Sequence, residues 1–490
     1  MKIEFEVTPG SFDTSVESLQ KYECPEWFRN AKIGFWSHWG PQSAPMYGDW
    51  YARNIYIEGH DQYKYHLEHY GHPSEFGYKD IIPLWKAEKF DPESLVAKYK
   101  KAGARYFVAC AVHHDNFDNW NSKHHKWNAV NYGPKKDIIK MFKDAADKEG
   151  LPFGVTVHHE RSYSWFNTNK GADKEGKWAG VPYDGNDPAY EDLYYPPHEE
   201  NHMSYPHNPS QEFVQGWYDR VKDVVEQYDV DLLYTDGGVP FGEVGRAAIA
   251  NLYNHSEKTH NGKCEAVYNC KNFTLSDKKK GGLHFHGDYF EGICVEDLER
   301  GVVDDIRDEP WQTDTCIGKW FYRVGQQYKS AAFVIKMLCD IVSKNGNLLL
   351  NIPVKPDGTL DETEEKFIED FGAWMAVNGE AIYDTRPFVV FGEGKKVEKN
   401  EFTSFNEKEI EGDASQIRFT AKPGVVYAIC FGWAEEFLVK SIDTTYKVKR
   451  VSMLGADGEL EFKQTAEGLV VTSPVAKPCE VAYSLKIEIE

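Results

Sequence analysis

No apolar run in this 490-residue chain approaches the roughly 18 residues of a membrane-spanning helix, so no membrane partner is expected. Positive charge is in deficit as well. The 56 Lys and Arg stand against 78 Asp and Glu, a net charge of −22, which opposes the basic footprint that nucleic acid needs. The nine cysteines are scattered, odd in number and without a CxxC, so they form neither a disulfide framework nor a zinc ribbon and are expected as free, mostly buried thiols. Repeats and low-complexity tracts are missing. The opening MKIEFEVTPG has no apolar core of a secretory leader. As the sequence stands this predicts a cytoplasmic protein, or a periplasmic or secreted one if a leader has been removed.

Aromatic residues are abundant: 14 Trp, 29 Tyr and 28 Phe, beside 18 His. Aromatic faces suit the C–H faces of sugar rings, although composition alone favours core packing. Apolar content of 41% and charged content of 27% fit a soluble globular protein, and the length favours two domains.

Short apolar runs bounded by turn signals appear at 31–38, 104–113, 152–158, 230–236, 264–269, 292–298, 313–317 and 347–352. Helix-like stretches at 92–102, 135–148, 210–227, 243–260 and 326–343 separate several of them. Continuous apolar strands alternating with helices predict a parallel sheet covered by helices. Eight such strands predict an α/β fold, a (β/α)8-like barrel of the TIM type over residues 1–388, irregular where later helices are unclear. Residues 166–209 are polar and rich in Pro, Gly and Tyr, and read as an ordered wall or lid. The stretch 359–387 reads as a helix with an acidic first turn, stopped at Asn378–Gly379. Beyond it the pattern turns strand-like, and a C-terminal β-sandwich is expected over 389–490.

Active sites of such barrels form at the C-terminal ends of the strands. The apolar runs end in His38 with Trp39, His113 with His114, His158 with His159, Asp236, Asn269 and Glu299. Six polar ends at one mouth argue for a shared polar pocket. Histidine clusters can hold metal, but SHWG is not the HxH of a metal-dependent amidohydrolase strand. Adjacent histidines also point to opposite faces of a regular strand. Hydrogen bonding to a hydroxyl-rich ligand is the better reading. A retaining glycosidase needs two carboxyl groups; Asp236 and one of the acids in ICVEDLERG (293–301) are available.

The motifs resemble a known family. WFRNAKIGFWSHWGPQSAPMYGDWY, AVHHDNFDNWNS, DLLYTDGG, SKNGNLLLNIPVKPDG and WMAVNGEAIYDTRP are similar, in order, to segments of the α-L-fucosidases of glycoside hydrolase family 29, from about residue 26 to 388. The resemblance implies a retaining exo-glycosidase with Asp236 as nucleophile. It implies Glu299, twelve residues before Trp311, as acid/base, with Glu296 and Glu291 as fallbacks. His38, His113 and His114 match hydroxyl-binding histidines and Trp50 an aromatic wall. Tyr234, His158, Lys271 and Trp311 complete the expected substrate-binding set. The chain departs from the family in Asn116 for a glycine, Tyr234 for the common Trp, a histidine at the third-strand tyrosine, and Lys271 where an Arg is expected. No metal or organic cofactor is implied. The implied partner is a fucosylated oligosaccharide or glycoconjugate, with no oligomeric state indicated. The rivals are a fucose-binding protein without hydrolysis and a metal-dependent barrel hydrolase.

Overall fold

Strands whose two faces are both buried need an apolar residue at nearly every position, and the runs found in the sequence have this character. In the computed structural model, which describes residues 3–273, 285–395 and 407–490, they form β1 (Ile33–Ser37), β2 (Tyr106–Val112), β3 (Phe153–Val157), β4 (Leu232–Thr235), β5 (Val267–Lys271), β6 (Val295–Asp297), β7 (Trp311–Cys316) and β8 (Gly346–Asn351). Each pairs in parallel with the next, and β1 pairs with β8 to close the barrel. Gly34 lets β1 approach β2, because a Cβ there would lie 2.2 Å from the Tyr106 ring. β6 is the weakest stave, joined to β7 only through Glu296↔Trp311 and Asp297↔Gln312.

Around the barrel lie α1 (Pro92–Lys101), α2 (Ile138–Glu149), α3 (Gln211–Tyr228), α4 (Glu243–Thr259), α5 (Ala331–Ser343) and α6 (Glu362–Asn378). Side chains of Asp91, Asp137, Ser210, Ser330 and Asp361 accept backbone N–H bonds at five of their starts, which is why the helices begin there. The α5 cap at Ser330 leaves 326–330, expected as helix, outside it. Between β6 and β7, residues 298–310 carry no helix.

Two strands are displaced from their expected positions. The fifth starts three residues later than the expected 264–269 and ends two later, so Asn269 is buried mid-strand and Lys271 becomes the tip. The seventh starts at Trp311, not Thr313. Its Gln312, Thr313 and Asp314 are buried polar residues that an apolar criterion passes over.

The 166–209 segment is held by tyrosine–aspartate hydrogen bonds. Asp184 accepts from Tyr56 at 2.7 Å and Tyr194 at 2.6 Å, and Asp173 accepts from Tyr183 at 2.6 Å. Beyond α6 come β9 (Arg386–Glu393), β10 (Ile417–Lys422), β11 (Val425–Cys430), β12 (Glu436–Val439), β13 (Val448–Met453), β14 (Phe462–Thr465), β15 (Gly468–Thr472) and β16 (Tyr483–Ile489). They form a five-stranded and a three-stranded sheet. One apolar core unites them, with Phe419, Val426, Phe437, Val471 and Leu485 among its members. Arg418 of β10 donates to Asp340 of α5 at 2.5 Å, and Lys344 donates to the other oxygen at 2.7 Å, so a buried ion triad ties this part to the barrel. No helix of the described residues is long and apolar enough to cross a membrane.

Candidate active site

Asp236 follows β4 directly, and the backbone beyond it is tightly constrained. Gly237 has φ +151, and a Cβ there would lie 2.2 Å from the Tyr205 hydroxyl. Only glycine fits this approach. The Gly237 carbonyl then accepts the Lys271 N–H at 2.7 Å, which ties the tips of β4 and β5 together.

Lys271 Nζ donates to Asp236 Oδ1 at 2.8 Å and to Glu299 Oε2 at 2.7 Å. Those two oxygens can be no farther apart than the sum of the distances, about 5.5 Å. The carboxyl side chains are 15% and 18% exposed, so both can be reached from the mouth, whereas Lys271 is buried. Burial alone would push Asp236 up, but the charges of Arg161 and Lys271 outweigh it and hold the carboxyl well below the usual carboxylate range. Lys271 is pushed down by burial, yet Asp236, Glu299 and Asp314 around it raise it well above an ordinary lysine.

Four imidazoles crowd beside this pair. Ring centroids are 5.2 Å apart for His38 and His158, 4.7 Å for His113 and His158, and 4.3 Å for His113 and His114. Burial is the main cause that pushes His38 and His113 well below the ordinary histidine value, His114 down to about 3, and His158 down. They are neutral, each with one donor and one acceptor nitrogen. Fixed neighbours set the tautomers. Asn351 Oδ1 lies 3.2 Å from His38 Nδ1, and the His158 carbonyl lies 2.6 Å from His114 Nδ1, so both carry the proton on Nδ1. Gln42 Nε2 donates to His113 Nδ1 at 2.9 Å, which leaves His113 with its proton on Nε2. Such a mixture of donors and acceptors suits sugar hydroxyls.

The ligand atoms of His38, His113 and His158, and those of His114, His158 and Asp236, lie within 4.8 Å of one another. Against metal, His113 Nε2 is protonated in the tautomer that Gln42 imposes, and the two groups share His158. Lys271 and Arg161 already neutralise Asp236. The donor set fits hydroxyls better than a cation.

Trp50, half-buried, meets His114 edge-on with centroids 6.3 Å apart, at the rim where an aromatic wall is expected. Two expected substrate contacts do not reach the mouth. Tyr234 lies two residues before Asp236 on the same face, one layer deeper and fully buried, with its hydroxyl donated to Asp314 at 3.0 Å. It supports the floor. Trp311 is the first residue of β7, at the opposite end of the barrel, where its Nε1 donates to the Lys344 carbonyl at 2.9 Å. The fallback acids are also elsewhere: Glu296 pairs with Arg307 at 2.5 Å, and Glu291 is exposed ahead of β6.

Several site residues escaped the sequence reading. Arg161 donates to the Asp236 carbonyl at 2.7 Å and lies 3.4 Å from Oδ2, and Glu160 accepts the Asp236 N–H at 3.1 Å. Trp320, half-buried, lies 5.0 Å from the His38 ring. Asp314 lies 3.8 Å below Lys271 Nζ. Glu407, beyond β9 in sequence, accepts from Lys329 at 2.6 Å and from Arg300, next to Glu299, at 3.1 Å. The only local signal was for 160 and 161, which lie in the VHHER that ends the third strand.

Paired carboxyl groups at this spacing are the working parts of a retaining glycoside hydrolase, and the end of a parallel barrel is where such an enzyme carries them. Comparison with known proteins narrows the class. Residues 1–380 match the family described as alpha-L-fucosidase, and residues 412–488 match the alpha-L-fucosidase C-terminal domain. The chain belongs to the α-L-fucosidase family. It is 27% identical over 499 residues to tissue alpha-L-fucosidase of Rattus norvegicus, covering 98% of this chain and 93% of that one. Identity to the Homo sapiens tissue enzyme is 27% over 497 residues, with 98% and 92% covered. In fold, it is similar to the Thermotoga maritima alpha-fucosidase crystallised in complex with fucose. The TM-score is 0.72 at 24% identity, with 97% of this chain and 100% of that chain covered.

Proposed function

We propose that this chain hydrolyses terminal α-L-fucosides of oligosaccharides or glycoconjugates by double displacement, with Asp236 as nucleophile and Glu299 as acid and base. The observation that carries the reading is the bridging lysine. It keeps Asp236 Oδ1 and Glu299 Oε2 no farther apart than about 5.5 Å, which fits the close spacing of a retaining pair and falls short of the roughly 6.5–9.5 Å with which an inverting pair admits water.

Asp236 attacks the anomeric carbon while the Glu299 carboxyl gives its proton to the departing oxygen. Glu299 then takes a proton from the water that releases the sugar. Lys271 serves both halves. The negative charge that Asp236 loses on forming the ester appears on Glu299, and the ammonium touches both, so its surroundings keep the same net charge. The neutral histidines orient hydroxyls, while Trp50 and Trp320 offer apolar faces to the ring and its methyl group.

Replacing Asp236 by Gly tests the reading on an aryl α-L-fucoside. Turnover falls by about a thousandfold or more, and azide restores it with β-L-fucosyl azide as product. Wild-type turnover in the variant rejects the nucleophile assignment.

A further inference from the structure

The tip of β4 is gripped by two consecutive side chains of the turn that follows β3. Glu160 Oε1 accepts the main-chain N–H of Asp236 at 3.1 Å, and Arg161 Nη2 donates to the carbonyl of the same residue at 2.7 Å. One peptide unit on each side of the nucleophile's Cα is thereby fixed from the neighbouring strand. Arg161 also approaches the Asp236 carboxylate, 3.4 Å from Oδ2. The second oxygen of Glu160, Oε2, is buried without a hydrogen-bond partner in a side chain with no solvent exposure.

We propose that Glu160 is a positioning residue for the nucleophile: it carries its proton in the working enzyme, holds the Asp236 N–H, and leaves Arg161 free to hold the Asp236 carbonyl and carboxylate. The proposal rests on Asp236 being the nucleophile.

The surroundings explain why the neutral form is required. The groups facing Glu160 are Asp236 at the end of β4, Tyr205 from the 166–209 segment, Tyr268 from β5, Cys110 from β2 and its own neighbour Arg161. Burial raises both tyrosines and the Cys110 thiol, so these three are neutral. What remains is one anion, Asp236, and one cation, Arg161, already engaged with it. An unpartnered buried oxygen costs far less as a neutral hydroxyl than as part of an anion. Burial first, and the Asp236 charge second, push the Glu160 carboxyl up to about 8. Once ionised, Glu160 has only Arg161 to turn to. Drawing the guanidinium toward Glu160 takes it from the nucleophile, and the aim of Asp236 is lost.

The test uses α-L-fucosyl fluoride, whose leaving group needs no proton from Glu299, so the pH profile of kcat/KM reports the nucleophile's surroundings. In the wild type the proposal expects an alkaline limb near pH 8. Glu160→Gln, which keeps the acceptor but cannot ionise, moves that limb upward by about one pH unit or more. Glu160→Ala lowers kcat/KM by about ten- to a hundredfold, and Glu160→Gln restores most of that loss. A limb at the same pH in wild type and Glu160→Gln overturns the proposal, as does a Glu160→Ala enzyme within about twofold of wild type. If Glu160→Ala does not fold, the wild-type and Gln profiles alone decide. Failure of the underlying nucleophile assignment appears separately, as no azide rescue of Asp236→Gly.

Discussion

Lys271 donates to Glu299 at 2.7 Å while the Glu299 side chain is 18% exposed, so a buried cation rises from the barrel interior to a carboxyl group at its mouth. Asp236 at 2.8 Å and Asp314 at 3.8 Å complete its surroundings. Removing the ammonium leaves three acids converging on an apolar gap. Lys271→Met is expected to lower kcat on an aryl α-L-fucoside by about a hundred- to a thousandfold, as loss of a preorganised charge does elsewhere. Lys271→Arg, the cation that the family resemblance leads one to expect here, recovers part of it. Unchanged kcat in the Met variant counts against a catalytic role for the bridge.

The histidine tautomers make a separate prediction. Gln42 holds His113 with its proton on Nε2 through a 2.9 Å hydrogen bond. Gln42→Leu removes that control, so a donor to a sugar hydroxyl becomes an acceptor part of the time. The inhibition constant of free L-fucose should rise by about two- to tenfold, the worth of one hydrogen bond, with kcat affected less. Isothermal titration with fucose checks it. An unaltered affinity shows that this imidazole does not recognise the sugar.

His114 carries a pH dependence whose sign can be worked out. Burial lowers it in the folded protein to about 3, against about 6.5 in an unfolded chain. Between those values the unfolded state binds a proton that the folded state does not, so wild-type stability falls as the pH is lowered from about 6.5. His114→Gln lacks this proton. The stability of wild type relative to the variant should therefore decline by up to about 1.4 kcal/mol per pH unit below pH 6.5. Urea unfolding of both proteins at pH 7, 6 and 5 measures the difference. A constant gap contradicts a neutral, buried His114.

Arg418, Asp340 and Lys344 form the buried ion triad between β10 and α5. Burial raises Asp340, but Lys344 and Arg418 outweigh it and keep the carboxyl below its usual value. Asp340→Asn leaves two buried cations without their anion and should destabilise the protein by about 3–5 kcal/mol. Thermal unfolding reports the loss. Arg418→Met combined with Lys344→Met and Asp340→Leu should recover much of it, since apolar replacements of similar volume remove the desolvation cost.

The barrel was legible because its strands are buried on both faces, and burial is written in local apolar runs. Their C-terminal ends follow at once, and with them His38, His113, His114, His158 and Asp236. Glu299 also stands at such an end, but its role as acid/base, ahead of Glu296, comes only from the resemblance. The tertiary structure separates them, by pairing Glu296 with Arg307 and Glu299 with Lys271. The start of β7 is not legible in an apolar run, because Trp311 is followed by the buried polar residues Gln312, Thr313 and Asp314 that serve the interior.

What the sequence determined by itself is the order of elements and which ends of the strands carry polar groups, since periodicity records the face on which each residue lies. Which groups meet was decided by closure of the barrel. That brought Lys271 between acids 35 residues before it and 28 after it in sequence, turned Glu160 and Arg161 onto the backbone of Asp236, and delivered Glu407 to Arg300. The physical reason is range. Burial and turn preferences act over a few neighbouring residues, whereas a hydrogen bond of about 2.8 Å between strand tips exists only after every intervening segment has packed.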